Sequence, residues 1–258
     1  SHGFGITYKE RTSIIPPKTQ QERWEEQPGY SPSTIAAVIS GLVSASDLAT
    51  LARDLANSEL YLQTADKYEK RIEATMFTTT GKHNNGLANG KYFVRISENE
   101  NPNDGEKIIA NNGKPAMNET LILDAGFLEL VRYGVRNATA ESILETIPEL
   151  DNQDMDENLK VKYLFKFDGD EAEYPGWRRY GNDGYGEGTL DGSNYGIQDS
   201  THRGRIWPFF TGERGHYELA KANEQGIDAT ENLRKTYIKA MEYFANDGMM
   251  LPEQVWDG

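Results

Sequence analysis

The sequence predicts an all-α fold, a toroid or barrel of paired helices with long loops gathered on one face. Three observations predict it. Apolar residues recur at helical spacing in separate segments along the chain. Two long polar stretches, at 78–120 and 151–203, interrupt those segments. No parallel-strand period, dinucleotide fingerprint or phosphate-binding loop is present, and no repeat shows at a period of 20–50 residues.

Residues 1–30 read as irregular, because Ile14-Ile15-Pro16-Pro17 breaks any helix. Ser31-Pro32-Ser33-Thr34 reads as a helix start, with hydroxyls to cap and Pro in the first turn. Ile35, Val38, Ile39, Leu42 and Val43 follow at helical spacing among the small residues Ala36, Ala37, Ser40, Gly41, Ser44 and Ala45. Such a helix can pack closely on several sides. The pattern resumes through Leu48, Leu51 and Leu55, and 60–76 reads as another amphipathic helix. The stretch 78–120 is a long excursion with a short strand at 92–96. Helices are expected at 120–133 and 139–150, then a second excursion at 151–203, then helices at 207–224 and 229–246. Structureless loops of that length inside a compact domain are usually functional.

The chain has 258 residues, enough to bury a sizeable core. Its hydrophobic fraction of 37% and mean hydropathy of −0.71 imply a polar surface. No run approaches 18 apolar residues, so no membrane span is expected. No signal peptide shows at the start, as in a mature secreted chain or an excerpt. With 27 basic against 41 acidic residues, the net charge is −14. That disfavours nucleic acid and anionic membranes as partners and suits a neutral ligand. Zero Cys removes disulfides, thiol nucleophiles and Cys–zinc sites together.

Both ends carry a carboxylate beside a Trp and a Gln: Trp24-Glu25-Glu26-Gln27 and Glu253-Gln254-Val255-Trp256. An indole covers the apolar face of a pyranose while an acid does proton chemistry at the glycosidic oxygen or on water. Adjacent Glu25 and Glu26 repel, which can raise the proton affinity of one of them. Pro252 stiffens the loop that carries Glu253. Residues 174–188 hold four aromatics, two Arg and five Gly, poor material for a core and good material for a sugar pocket. Trp207 beside Pro208 stands at a loop-to-helix joint, and His216 reads as structural. Asp168, Asp170, Glu171 and Glu173 could bind calcium through oxygen ligands, but they lack EF-hand spacing and read as a solvated face. No other cofactor or metal is expected.

Trp24-Glu25-Glu26, Arg179-Tyr180-x-x-Asp183-x-Tyr185, Trp207-Pro208 and Pro252-Glu253-Gln254 occur in this order in glycoside hydrolase family 15, and the chain resembles its prokaryotic glucoamylase and glucodextranase branch. Gly29-Tyr30-Ser31-Pro32-Ser33-Thr34 and Asp124-Ala125-Gly126-Phe127-Leu128-Glu129-Leu130-Val131-Arg132 add to the likeness, as does Thr211-Gly212-Glu213-Arg214-Gly215-His216-Tyr217-Glu218. The resemblance implies an (α/α)6 barrel that hydrolyses terminal α-glucosidic bonds with inversion. It implies Glu25 as general acid and Glu253 as general base. It gives Glu26 a sugar hydroxyl to hold, and it lines the pocket with Trp24 and the backbone of Arg23. Arg179 would bond the deepest sugar, Tyr185 and Trp207 would flank the entering ones, and Gln254 would touch a hydroxyl or a neighbouring side chain. The implied partner is an α-glucan or α-gluco-oligosaccharide, in an extracellular or periplasmic setting. The alternative is a non-catalytic carbohydrate-binding remnant of the same fold. Against the family pattern, 1–258 is expected to be part of one barrel domain, lacking N-terminal helices and the last one. Its remaining partner would then be the rest of that domain, without which it is expected to be inactive.

Overall fold

The computed structural model describes residues 15–81, 89–109, 111–189, 192–193 and 201–255. Helix α1 runs Pro32–Leu51 and α2 Leu55–Glu69. Ser31 is extended and Pro32 takes the first helical position, where a missing N–H costs nothing. A three-residue turn reverses the chain, and the Asp54 carboxylate caps α2 by accepting from the Asn57 N–H at 3.2 Å. The two helices form a hairpin laced by Ser46, Thr50 and Ser58 hydroxyls. By length and composition alone α1 could cross a membrane, with a mean hydropathy of 1.6, contrary to the sequence expectation. Here it packs on α2 and on α4.

The expected helix at 60–76 begins earlier and breaks near Arg71, leaving a short α3 (Ile72–Met76). The first excursion contains two small antiparallel ribbons. β1 (Phe77–Thr78) pairs with β2 (Tyr92–Phe93), and β3 (Lys107–Ile108) with β4 (Met117–Asn118). The strand expected at 92–96 is thus shorter; beyond Phe93 the chain makes single bonds, such as Arg95 N–H to the Ile122 carbonyl at 3.0 Å.

The helix expected at 120–133 is mostly absent. Two 3-10 turns, Glu119–Leu121 and Ala125–Phe127, precede a short α4 (Leu128–Arg132). The cause is competition for backbone partners. The carbonyls of Ile122 and Leu123 accept from Arg95 and Gly181, and the Asn118 and Asp124 side chains cap their own turns. Helix α5 spans Glu141–Leu150. The second excursion holds one ribbon, β5 (Lys162–Phe165) with β6 (Tyr174–Trp177). Helix α6 (Pro208–Gln225) starts on Pro208 and stops at left-handed Gly226. The last helical run is α7 (Thr230–Leu233), a π turn Arg234–Ile238, and α8 (Lys239–Phe244).

The helices stand in a row, α2 against α1, α1 against α4, α4 against α6, and α6 against α8. One core of Ile35, Ile39, Tyr68, Ile72, Phe93, Phe127, Leu130, Trp177, Phe210 and Tyr217 fills the space behind the excursions.

Candidate active site

The loop before α1 is closed twice, by the Glu25 N–H to the Glu22 carbonyl at 3.0 Å and the Glu22 N–H to the Gln27 carbonyl at 3.2 Å. Closure forces Glu25 into the left-handed region at φ 60, uncommon for a residue with a side chain. Glu25 is exposed and its carboxylate has no partner among the described residues. Trp24 turns the other way. Its indole N–H donates to Asp124 at 3.2 Å, and its ring meets Trp207 edge-on at 5.4 Å and Phe210 at 5.4 Å. The Arg23 side chain points away from the pocket toward Glu213 (3.0 Å) and Glu129 (3.5 Å). Burial pushes the Glu129 carboxyl up to about 7, against the pull of Arg23.

Arg179 is the hub. Its Nε and Nη2 grip the two Asp183 oxygens at 2.8 Å each, and Nη1 reaches Glu26 at 2.9 Å. Its guanidinium lies 4.8 to 5.3 Å from the ring centres of Tyr185, Tyr180, Trp24 and Trp207. Asp183 is fully buried. Burial alone would raise its carboxyl, but Arg179 outweighs it and holds the group below its ordinary value. Asp183 also accepts from the Tyr185 N–H at 2.9 Å, which fixes that aromatic, and its carbonyl accepts from Gly204 at 2.8 Å.

Glu26 sits on the inner side of the loop and is surrounded by donors: Arg179, Asn112 at 2.8 Å, Arg95 at 3.0 Å and the Tyr180 hydroxyl. Trp207 enters α6 with its N–H bonded to the Trp177 carbonyl at 2.8 Å; its buried indole N–H has no acceptor among the described residues. The 254–255 segment docks beside Trp207. The Val255 N–H bonds the Ile206 carbonyl at 3.0 Å, and the Gln254 side chain accepts from the Arg205 N–H at 2.8 Å. Gln254 is thereby spent on fixing its own loop to the strand that delivers Trp207. Glu253, two residues before Val255, is exposed and unpaired among the described residues. Trp256 lies outside the described residues.

Of the nine sequence-predicted residues, five converge: Trp24, Glu26, Tyr185 and Trp207 gather around Arg179. The Arg23 side chain and the Gln254 oxygen are bound elsewhere, and Glu25 and Glu253 are exposed without a partner among the described residues. The aromatic stretch at 174–188 needs correction. Tyr174, Trp177 and Arg178 are core, with Trp177 1% and Arg178 0% exposed; only Arg179, Tyr180, Asp183 and Tyr185 face the site. Sequence reasoning missed Arg95 and Asn112. An Arg inside an apolar strand pattern is the signal that could have found the first. Of the acidic run, Asp170 is occupied by the hydroxyls of Tyr174 (2.5 Å) and Tyr243 (2.9 Å). Among the described residues no group of three or more His, Asp or Glu could hold a metal ion. His216 is exposed on α6.

An Arg set among four aromatic rings on the loops of a helical row is an arrangement suited to a carbohydrate ligand. Residues 17–258 match Glycosyl hydrolases family 15, and the chain belongs to that family. It is 39% identical over 241 residues to a glucoamylase of a Clostridium species (strain G0005), covering 93% of this chain and 30% of that protein. A crystal structure of a bacterial glucoamylase complexed with acarbose matches with a TM-score of 0.75 and 37% identity, over 93% of this chain and 31% of that one. The chain thus spans about a third of the length of the relatives it matches. The all-α, (α/α)6-barrel class read from the sequence is the right one, carrying small two-stranded ribbons in its loops.

Proposed function

We propose that this chain carries the acid–base site of an inverting hydrolase of terminal α-glucosidic bonds, acting on α-glucans or α-gluco-oligosaccharides and releasing β-glucose. One observation carries the reading: Glu25 and Glu253 are exposed and unpaired among the described residues, while Glu26 is held by Asn112, Arg95 and the Tyr180 hydroxyl and pairs with Arg179. Working carboxylates must be free to exchange protons; anchoring ones must not be.

In the reaction, protonated Glu25 gives its proton to the glycosidic oxygen as the C1–O bond breaks. Ionised Glu253 takes a proton from the water attacking C1 from the opposite face. Inversion needs the carboxyls roughly 6.5–9.5 Å apart to admit that water. Trp24, Tyr185 and Trp207 supply ring faces for the sugar, and Arg179 supplies an in-plane donor. The acarbose complex of the bacterial relative supports an oligosaccharide-shaped ligand. A polymeric substrate accords with an extracellular or periplasmic setting.

The test is glucose release from maltose, isomaltose, trehalose, starch and dextran. It is run on the chain by itself and mixed with the segments of the Clostridium glucoamylase outside the matched region. Release in the mixture, abolished by Glu253→Gln, is the expected result. Oligosaccharide binding without turnover in any mixture would favour a non-catalytic sugar-binding role.

A further inference from the structure

Glu26 is held from two sides, and half of its contacts come from an unexpected place. Its Oε1 pairs with Arg179 Nη1 at 2.9 Å and accepts from Asn112 Nδ2 at 2.8 Å. Its Oε2 accepts from Arg95 Nη2 at 3.0 Å and from the Tyr180 hydroxyl. Arg95 and Asn112 both lie on the first excursion, between α3 and α4.

The excursion is built to deliver them. Arg95 is 1% exposed, stacked with its guanidinium 3.5 Å from the Tyr180 ring centre, and paired through Nε and Nη2 with buried Glu22 at the root of the Glu25 loop. Asn112 adopts left-handed backbone, φ 53, and its amide also reaches Tyr180 Oη at 3.0 Å and Asp183 at 3.2 Å. Behind it, the Gly184 N–H bonds the Asn111 carbonyl at 3.1 Å, tying the excursion to the Arg179–Asp183 segment.

We propose that Arg95 and Asn112 are positioning residues of the glucoside site: by bonding both oxygens of Glu26 they hold it in place beside Arg179, and so hold Arg179 toward the sugar. This inference rests on the glucoside-hydrolase reading.

The experiment is acarbose affinity, read by tryptophan fluorescence beside the thermal midpoint, in the mixture in which glucose release is assayed. The variants are Asn112→Gly, which keeps the left-handed backbone, Glu26→Gln, and the two combined. Asn112→Gly is expected to weaken acarbose about tenfold, the scale of one hydrogen bond to a charged group. In the Glu26→Gln background the same change is expected to cost less, because Asn112 acts mainly through Glu26 and keeps only its route through Asp183. Arg95→Lys, which keeps the charge but loses the fork, is expected to raise KM more than it lowers kcat. Unchanged acarbose affinity in Asn112→Gly, or an equal loss in both backgrounds, would overturn the positioning role. Failure of the unaltered protein to bind acarbose at all would instead overturn the glucoside reading beneath it.

Discussion

Trp24 and Trp207 meet edge to face, ring centroids 5.4 Å apart and planes inclined at 61°. Each indole is the neighbour in sequence or space of one proposed catalytic loop: Trp24 directly precedes Glu25, and Trp207 follows Ile206, whose carbonyl holds Val255. The contact therefore ties the loop that carries Glu25 to the 205–207 segment on which Val255 and Gln254 dock, with Arg179 5.2 and 5.3 Å from the two rings.

Glu25→Gln and Glu253→Gln should each lower the hydrolysis rate by about 10²–10⁴, the usual range for a lost general acid or base. Both side chains are exposed and unpaired among the described residues, so thermal stability should barely move. Steady-state rates on maltose beside thermal midpoints check this. A large stability loss would mean that either carboxylate is structural.

Arg179→Met strips buried Asp183 of two bonds at 2.8 Å and Glu26 of one at 2.9 Å. Leaving a buried charge uncompensated costs about 3–5 kcal/mol. Urea unfolding should show that loss. A change below about 1 kcal/mol would contradict the hub.

Glu119 provides a pH-dependent stability term. It is fully buried with Oε1 unpartnered, and burial pushes its carboxyl up to about 7, with Asp104, Glu98 and Glu106 adding repulsion and the Glu98 N–H opposing. Its ordinary value is 4.5, so between about 4.5 and 7 the folded chain holds a proton that the unfolded chain has lost. Its share of stability is therefore largest below that window and falls as pH rises through it. The slope approaches about 1.4 kcal/mol per pH unit. Glu119→Gln should flatten that slope in urea titrations from pH 4.5 to 8. An unaltered slope would assign the proton elsewhere.

Gly184 and Gly41 make a matched pair. A Cβ on Gly184 would stand 2.1 Å from the Asn112 carbonyl oxygen, whereas one on Gly41, exposed within α1, would meet nothing within 4 Å. Gly184→Ala should cost about 1–3 kcal/mol by forced displacement of the excursion. Gly41→Ala should stabilise by about 0.5–1 kcal/mol, as Ala does over Gly in a helix. Thermal melts of both variants decide it.

The long helices were legible because their signals are local. Pro32 and Pro208 open α1 and α6 at the residues where the pattern begins, and Gly226 closes the second. The 120–133 segment misled because Leu121, Leu123, Phe127 and Leu128 fit helical spacing while Ile122 and Leu123 bond Arg95 and Gly181, distant in sequence. Trp177 looked like a sugar platform because composition does not show which way a ribbon faces; β6 turns it into the core. Glu25, Glu253 and Arg179 were found through short motifs. Arg95 and Asn112 were not, since their role exists only once the excursion folds back onto Glu26.

The most direct test of the proposed acid–base pair is the anomer of the first glucose released from an α-linked disaccharide, followed by proton NMR before mutarotation. The account predicts β-glucose, from water activated by Glu253 on the face opposite the bond that Glu25 protonates. Initial release of α-glucose would contradict it.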